Sequence, residues 1–173
     1  MWRFDQCRGE WQPGRVKSSD PSRPRTPLDD VSKEIIAQLQ QDGRRSYSAI
    51  GKVVGLSEAA VRQRVQKLVD GGVMQIVAVT DPLELGFDRQ AMIGIRVRGP
   101  LRDAADRIAE LDEVDYVVIT AGPFDLLVEA VCHSDEHLLE LVSDKIRAIP
   151  EVESTETFMY LRLLKQTYSW GVR

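Results

Sequence analysis

Residues 44–71 read RRSYSAIGKVVGLSEAAVRQRVQKLVDG, and no other stretch of the chain restricts the fold as tightly. Ser46 is placed to cap a first helix, along which Ile50, Val53 and Val54 supply an apolar face at helical spacing. Gly55 lets the backbone leave that helix, and Leu56 drops back into the core. Ser57 then offers its hydroxyl to the freed N–H groups of a second helix. Val61, Val65 and Leu68 form the inward stripe of that second helix. Two short helices joined by so tight a turn make a helix-turn-helix.

At about 100° per residue, the face opposite that stripe carries Ala59, Arg62, Gln63 and Gln66. These are major-groove chemistries: Arg pairs bidentately with guanine, Gln with adenine, and a small Ala permits close approach or touches a thymine methyl. Arg44, Arg45, Lys52, Arg64 and Lys67 are expected to meet phosphates. Arg64, beside the inward stripe, is equally suited to a structural ion pair. Ser46 and Ser57, at the two helix starts, complete the expected DNA-facing set. The plainer alternative is an amphipathic hairpin whose charged face meets only water. Turn, caps and outward residue types together favour DNA.

The 173 residues, 43% of them hydrophobic, suffice for one ordinary domain or two small ones. A net charge of −4 looks wrong for a DNA binder until it is divided by region. Residues 1–27 carry +3, residues 28–75 +1 and residues 76–173 −8. Between residues 41 and 68 six basic residues face two acids, so positive charge gathers on the DNA-reading unit. The two cysteines, Cys7 and Cys132, form no C-x-x-C pattern, as expected in a reducing cytoplasm. No apolar run approaches a membrane span, and the opening MWRFDQCRGEWQ is too polar for a signal peptide. An unexported, cytoplasmic protein without membrane contact is the expectation.

Residues 1–27 hold four prolines and no apolar periodicity, which predicts a disordered arm. Its GEWQPGRV run is not a phosphate loop, because Arg15 and Val16 replace the Lys and Ser or Thr that such a loop needs. Trp2, Phe4 and Trp11 among arginines could add nucleic-acid contacts, though an arm without function is the simpler reading. From Leu28 the pattern changes: Leu28, Val31, Ile35, Ile36 and Leu39 stripe a helix with Asp29 near its start and Asp42-Gly43 at its end. After Gly71-Gly72, residues 73–79 are β-rich and Thr80-Asp81-Pro82 is a turn. The helix-turn-helix unit thus spans residues 28–75, with a small β wing and linker over residues 76–87.

Residues 88–167 alternate strand and helix patterns. Ala91, Ile93, Ile95 and Val97 mark a strand, and Leu101, Ala104, Ile108 and Leu111 a helix after Pro100. Strands over residues 114–121 and 126–132 flank Gly122-Pro123. A helix capped by Ser134 carries Leu138, Leu141, Val142 and Ile146, Pro150 stops it, and residues 152–163 are a last strand. The predicted fold is α+β: an N-terminal winged helix-turn-helix followed by a ferredoxin-like βαββαβ sandwich, with residues 168–173 as a tail.

Three signals in this order carry a resemblance. Leu28-Asp29 opens the first helix, Val54-Gly55-Leu56-Ser57 precedes Val61, Arg62, Arg64 and Val65, and Gly122-x-Phe124-Asp125 lies between strands. Over residues 28–167 the chain resembles the Lrp/AsnC (feast/famine) family of prokaryotic transcriptional regulators. The resemblance implies double-stranded DNA as partner and a homodimer formed largely through the βαββαβ domains, assembling further into tetramers or octamers. It also implies an amino acid or related small effector near inter-subunit contacts, and neither metal nor other cofactor. Gly122, Phe124 and Asp125 match the family's G-D-[FY]-D ligand loop, and Thr155 and Thr157 its T-x-T in the last strand. Thr120 and Pro123 complete the implied ligand set. Pro123 stands where Asp is usual, which removes a carboxylate and an N–H donor. Ser32 stands where Asp is frequent in the first helix. On residue types alone, Asp125 as a turn cap and the threonines as strand formers remain the simpler reading.

Two rival readings differ in class. Siroheme decarboxylases resemble the same architecture, and His133 and His137 stand at i, i+4 beside Cys132, a spacing able to hold a metal or move protons. Two histidines at a helix start are more simply a solvated first turn, and a tetrapyrrole bearing many carboxylates suits a cationic cavity rather than a region of charge −8. A ligand-sensing or assembly module that no longer binds DNA is the other rival. Arg62, Gln63 and Gln66 argue against it.

Overall fold

The computed structural model describes residues 27–166, so the expected N-terminal arm, except its last residue, and the C-terminal tail lie outside the described residues. The chain divides into two compact units, one ending at Val77 and one spanning Ala78–Gln166. Among the described residues no helix is long and apolar enough to cross a membrane.

The first unit is three helices: α1 (Asp30–Gln41), α2 (Tyr47–Val54) and α3 (Glu58–Asp70). Each begins on a side-chain cap, because a first turn leaves N–H groups without helical partners. Asp29 accepts from Ser32 N at 2.8 Å, Ser46 from Ala49 N at 3.2 Å and Ser57 from Ala60 N at 3.2 Å. Ile35, Leu39, Ile50, Val61 and Val65 form the core, with Tyr47, Val54, Leu56 and Met74 packed around it. Val53 departs from the sequence reading, being 58% exposed, since Ile50 and Gly51 take the inward side of this short helix.

The turn between α2 and α3 depends on two glycines. Gly55 adopts φ 70°, the left-handed conformation that closes α2. Gly51 is needed for space instead: Leu56 N donates to its carbonyl at 2.9 Å, and a Cβ on Gly51 would stand 2.5 Å from the Leu56 carbonyl oxygen. At its far end α3 closes with Gly72 at φ 68° and Val73 N on the Leu68 carbonyl at 2.9 Å. The expected β wing is not formed. Residues 73–79 join no strand, and Val73, Ile76, Val77 and Val79 are exposed, because a lone extended segment has no ladder partner.

The second unit opens with a 3₁₀ turn at Leu83–Leu85, where Asp81 accepts from Leu83 N at 3.0 Å. There follow β1 (Arg89–Val97), α4 (Leu101–Ile108), β2 (Val114–Ile119), β3 (Leu126–Cys132), α5 (Asp135–Glu140) and β4 (Val152–Met159). The sheet order is β2-β3-β1-β4, with every neighbouring pair antiparallel. This is the predicted βαββαβ topology. Ile93, Ile95, Leu126 and Val128 pack with Ile108, Leu141 and Ile146 of the helical side in one core.

Two details differ from the sequence reading. The helix after Ser134 changes at Leu141 into a π-helical stretch, Leu141–Ile146, which keeps Leu141, Val142 and Ile146 buried. β4 ends at Met159 rather than near residue 163. Tyr160 N still bonds the Gln90 carbonyl, one residue from the start of β1 at Arg89, so β4 stops where its neighbour runs out.

Candidate nucleic-acid interface and ligand loop

Ala59, Arg62, Gln63 and Gln66 are all exposed along α3, on the side away from Val61, Val65 and Leu68. Arg62 is held at two points. Its Nη2 donates to Glu58 Oε1 at 2.9 Å, and its guanidinium carbon lies 5.1 Å from the centre of the Tyr47 ring. Gln66 donates to Asp70 at 2.7 Å, whereas Gln63 has no side-chain partner among the described residues. Sequence reading missed Glu58 and Tyr47. The signal for Glu58 was its place one helical turn before Arg62.

The basic residues divide by what they touch. Arg64 Nη1 donates to Asp29 Oδ2 at 2.7 Å and to Ser32 Oγ at 3.3 Å, tying α3 to the start of α1. Its structural alternative is therefore realised. Hydrogen bonds from Ser32 and then Arg64 hold the Asp29 carboxyl down at about 2. Arg45 bonds the buried Gln38 and reaches Gln41 at 3.4 Å, so it braces the end of α1. Arg44, Lys52 and Lys67 are exposed, with no side-chain partner among the described residues. Ser46 and Ser57 use their oxygens as caps, and each hydroxyl keeps its hydrogen to donate.

In the second unit the 120–125 loop is knit into the sheet. Asp125 N donates to the Ile95 carbonyl at 2.9 Å, its Oδ2 accepts from Val97 N at 2.8 Å, and its carbonyl accepts from Thr120 N at 2.9 Å. Thr120 Oγ1 donates to the Phe124 carbonyl at 2.6 Å. Asp125 therefore caps the end of β1 with one carboxylate oxygen and retains the other. The Phe124 ring lies over Gly94, meets Phe158 edge-on with centroids 6.1 Å apart, and has the Arg96 guanidinium 5.9 Å from its centre. An isolated glycine within a strand pattern was the available sign of this close approach. Gly122 and Pro123 are exposed at the tip.

Thr155 and Thr157 do not join this loop within one chain. They pair across from Ile95 and Ile93, on the helix-covered face, whereas Gly94 and the Phe124 ring above it occupy the other face. Thr155 accepts from Arg147 Nε at 2.9 Å.

The two histidines form neither a metal cluster nor a simply solvated turn. Phe87 stacks on His133 with centroids 4.4 Å apart, and His133 on His137 at 5.7 Å. His133 Nδ1 lies 2.8 Å from the Gly86 carbonyl, and His137 Nε2 lies 3.0 Å from Glu113. Burial pushes the Glu113 carboxyl up, but bonds from Lys145 and His137 outweigh it and hold it below the ordinary value. Burial also pushes the Cys132 thiol up, away from the reactive thiolate. Among the described residues no group of three or more His, Cys, Asp or Glu is placed to hold a metal ion.

Comparison with known proteins agrees with both units. Residues 28–69 match the AsnC-type helix-turn-helix domain, and residues 90–170 the Lrp/AsnC ligand binding domain. An uncharacterized HTH-type transcriptional regulator of Pyrococcus furiosus is 36% identical over 146 residues, 83% of this chain and 96% of that protein. The HTH-type transcriptional regulator FL11 of Pyrococcus horikoshii is 35% identical over 145 residues, 83% of this chain and 95% of its own length. Among solved structures, the leucine response regulatory protein of Mycobacterium tuberculosis is similar at a TM-score of 0.73 and 28% identity, over 80% of this chain and 96% of that one. A capped helix-turn-helix joined to a four-stranded α+β ligand domain, matched over most of its length by such regulators, places this chain in the Lrp/AsnC family of DNA-binding transcriptional regulators.

Proposed function

We propose that the protein works in the cytoplasm as a homodimer on a roughly two-fold DNA site, reading bases through Ala59, Arg62, Gln63 and Gln66. The carrying observation is the exposed outer face of α3, with one guanidinium and two amides above a fully packed inner stripe. One such helix reads only a short half-site, so a two-fold protein on a two-fold operator doubles the sequence read. Arg44, Lys52 and Lys67 contact phosphates, and Arg45 and Arg64 act chiefly by positioning the helices. Selection from a random duplex pool tests this. A palindromic consensus whose recovery depends on Arg62 supports the reading, and enrichment of no sequence sinks it.

The effector in this proposal is an amino acid or a similar small molecule, bound at residues 120–125, with no further cofactor. Its ammonium meets the carboxylate oxygen that Asp125 does not spend on Val97 N. Thr155 and Thr157 lie on the opposite sheet face and enter such a site only from another subunit. The similarity to a protein called a leucine response regulator supports an amino-acid effector. Pro123 has no N–H to offer, so the response is narrower or weaker than with Asp at this place. Calorimetric titration with the twenty amino acids on the parent and on Asp125→Asn tests the site, since Asn keeps an acceptor for Val97 N but loses the charge. Equal heat in both proteins places the effector elsewhere, and no heat in either excludes an amino-acid signal.

A further inference from the structure

Glu58 is the first residue of α3, the end of a recognition helix that points at base edges, and its side chain is 52% exposed. A carboxylate there opposes the attraction of the phosphate backbone, and an exposed i,i+4 ion pair adds little to helix stability. Its geometry offers another role. Glu58 Oε1 takes one N–H of Arg62 Nη2 at 2.9 Å, while the Tyr47 ring supports the guanidinium from 5.1 Å. A guanidinium carries five N–H donors in a rigid fork, so one bond to Glu58 leaves the second Nη2 hydrogen and both on Nη1 for a bidentate pair with guanine O6 and N7. Held by an edge and a face, the fork cannot swing to a neighbouring phosphate without leaving both supports.

We propose that Glu58 and Tyr47 are specificity-determining positioning residues that hold the Arg62 guanidinium for one G·C pair and away from the phosphates. The proposal rests on α3 being the reading helix, and adds that an acidic residue in it exchanges general affinity for discrimination. Removing the Glu58 carboxylate frees Arg62 to become one more phosphate contact. Random-sequence DNA is then bound more tightly, with the salt dependence steeper by about 0.9 in log–log slope. Discrimination at the base pair read by Arg62, about 5- to 150-fold for a good bidentate contact, falls towards unity.

The test uses the full chain. The parent selects duplexes from a random pool, and Arg62→Ala identifies the pair that Arg62 reads. Parent, Glu58→Ala, Glu58→Gln and Tyr47→Phe are then titrated against the selected duplex, that duplex with the single pair changed, and random DNA, each over a salt series. Glu58→Ala is expected to lose about tenfold or more of the preference at that pair alone while gaining affinity for random DNA. Glu58→Gln, which keeps a neutral acceptor, should fall between, and Tyr47→Phe should match the parent. Matching circular dichroism confirms that the variants are folded. Unchanged preference in Glu58→Ala overturns the proposal, as does tighter binding to every duplex alike, which would mark Glu58 as simple repulsion. If the parent selects a consensus that Arg62→Ala leaves intact, the positioning role falls while the regulator reading stands. A parent that selects nothing removes both.

Discussion

The Phe124 ring lies against the Gly94 backbone so closely that a Cβ on Gly94 would stand 2.7–2.8 Å from three ring carbons. The Cγ atom is among the three, so the clash meets the root of a rigid ring rather than a flexible tip. Gly94→Ala should therefore displace Phe124 and destabilise the second unit by about 1–3 kcal/mol, the usual cost of overpacking. Urea denaturation measures it. In a double-mutant cycle with Phe124→Ala most of that loss should vanish, because the two residues are in contact. Additive losses would show that the clash is not the cause.

The glycines of the helix-turn-helix should fail in different ways. Gly55→Ala introduces a side chain at φ 70°, costing about 1–2 kcal/mol, with nothing within 4 Å for the new Cβ to strike. Gly51→Ala instead meets the Leu56 carbonyl oxygen at 2.5 Å, where only backbone movement gives relief. It should cost more, about 2–3 kcal/mol, and should shift α3 against α2, weakening DNA binding even where the unit stays folded. Thermal melts of both variants give the order of stability. A Gly51→Ala protein as stable as Gly55→Ala would contradict it.

Local signals were legible in proportion to how local their cause is. Ser46, Gly55 and Ser57 act within one turn of the chain, so their caps and the helix-turn-helix followed directly from the sequence. The βαββαβ order followed from periodicity, since alternate residues of β1 and β3 reach one core. What escaped depends on distant partners. Gly51 needs Leu56 across the turn, Gly94 needs a ring 30 positions on, and the wing failed because residues 73–79 find no strand to pair with. The ligand set was assembled by resemblance. The register then divides it, with the threonines and Phe124 on opposite sides of one sheet.

Asp29 makes the first unit sensitive to acid. Its carboxyl, at about 2 in the fold against an ordinary 3.8, is depressed by Ser32 and then Arg64, so the folded state favours the charged form. Above about pH 5 it is charged in both states and its contribution is complete. As pH falls from about 5 towards 2 the unfolded chain takes the proton first, and the contribution is progressively lost. Asp29→Asn keeps a good N-cap but no charge. Its deficit in urea midpoint relative to the parent should be full near neutral pH and visibly smaller by about pH 3. A deficit constant across that range would mean that the cap, not the ion pair with Arg64, is what Asp29 contributes.

The sheet face turned away from the helices sets the last expectation. Register places Met92, Leu127, Glu129, Val118, Tyr116 and Phe158 together on that face, with Tyr116 51% and Phe158 47% exposed. An antiparallel sheet can leave one face in water, but a contiguous apolar patch on that face marks a surface that another surface covers. Of the carboxylates on this face, Glu156 stands opposite Gly94 and is exposed on the outer strand β4, whereas Glu129, on the inner strand β3, is already satisfied from within. Gln90 donates to Glu129 at 2.9 Å, and burial followed by the Glu129 charge pushes the Tyr160 phenol up to about 12, keeping it a neutral donor to that carboxylate. Covering Glu129 therefore leaves fewer unpaired groups than its position implies. A second copy of the same face supplies a matching apolar surface under two-fold symmetry. The full chain should sediment as a dimer or larger at micromolar concentration. Tyr116→Glu combined with Phe158→Glu, which places four new carboxylates across a paired interface, should shift it to monomer while leaving the helix-turn-helix folded. A monomeric parent, or a double variant that still associates, would mean that copies of this chain do not meet through this face.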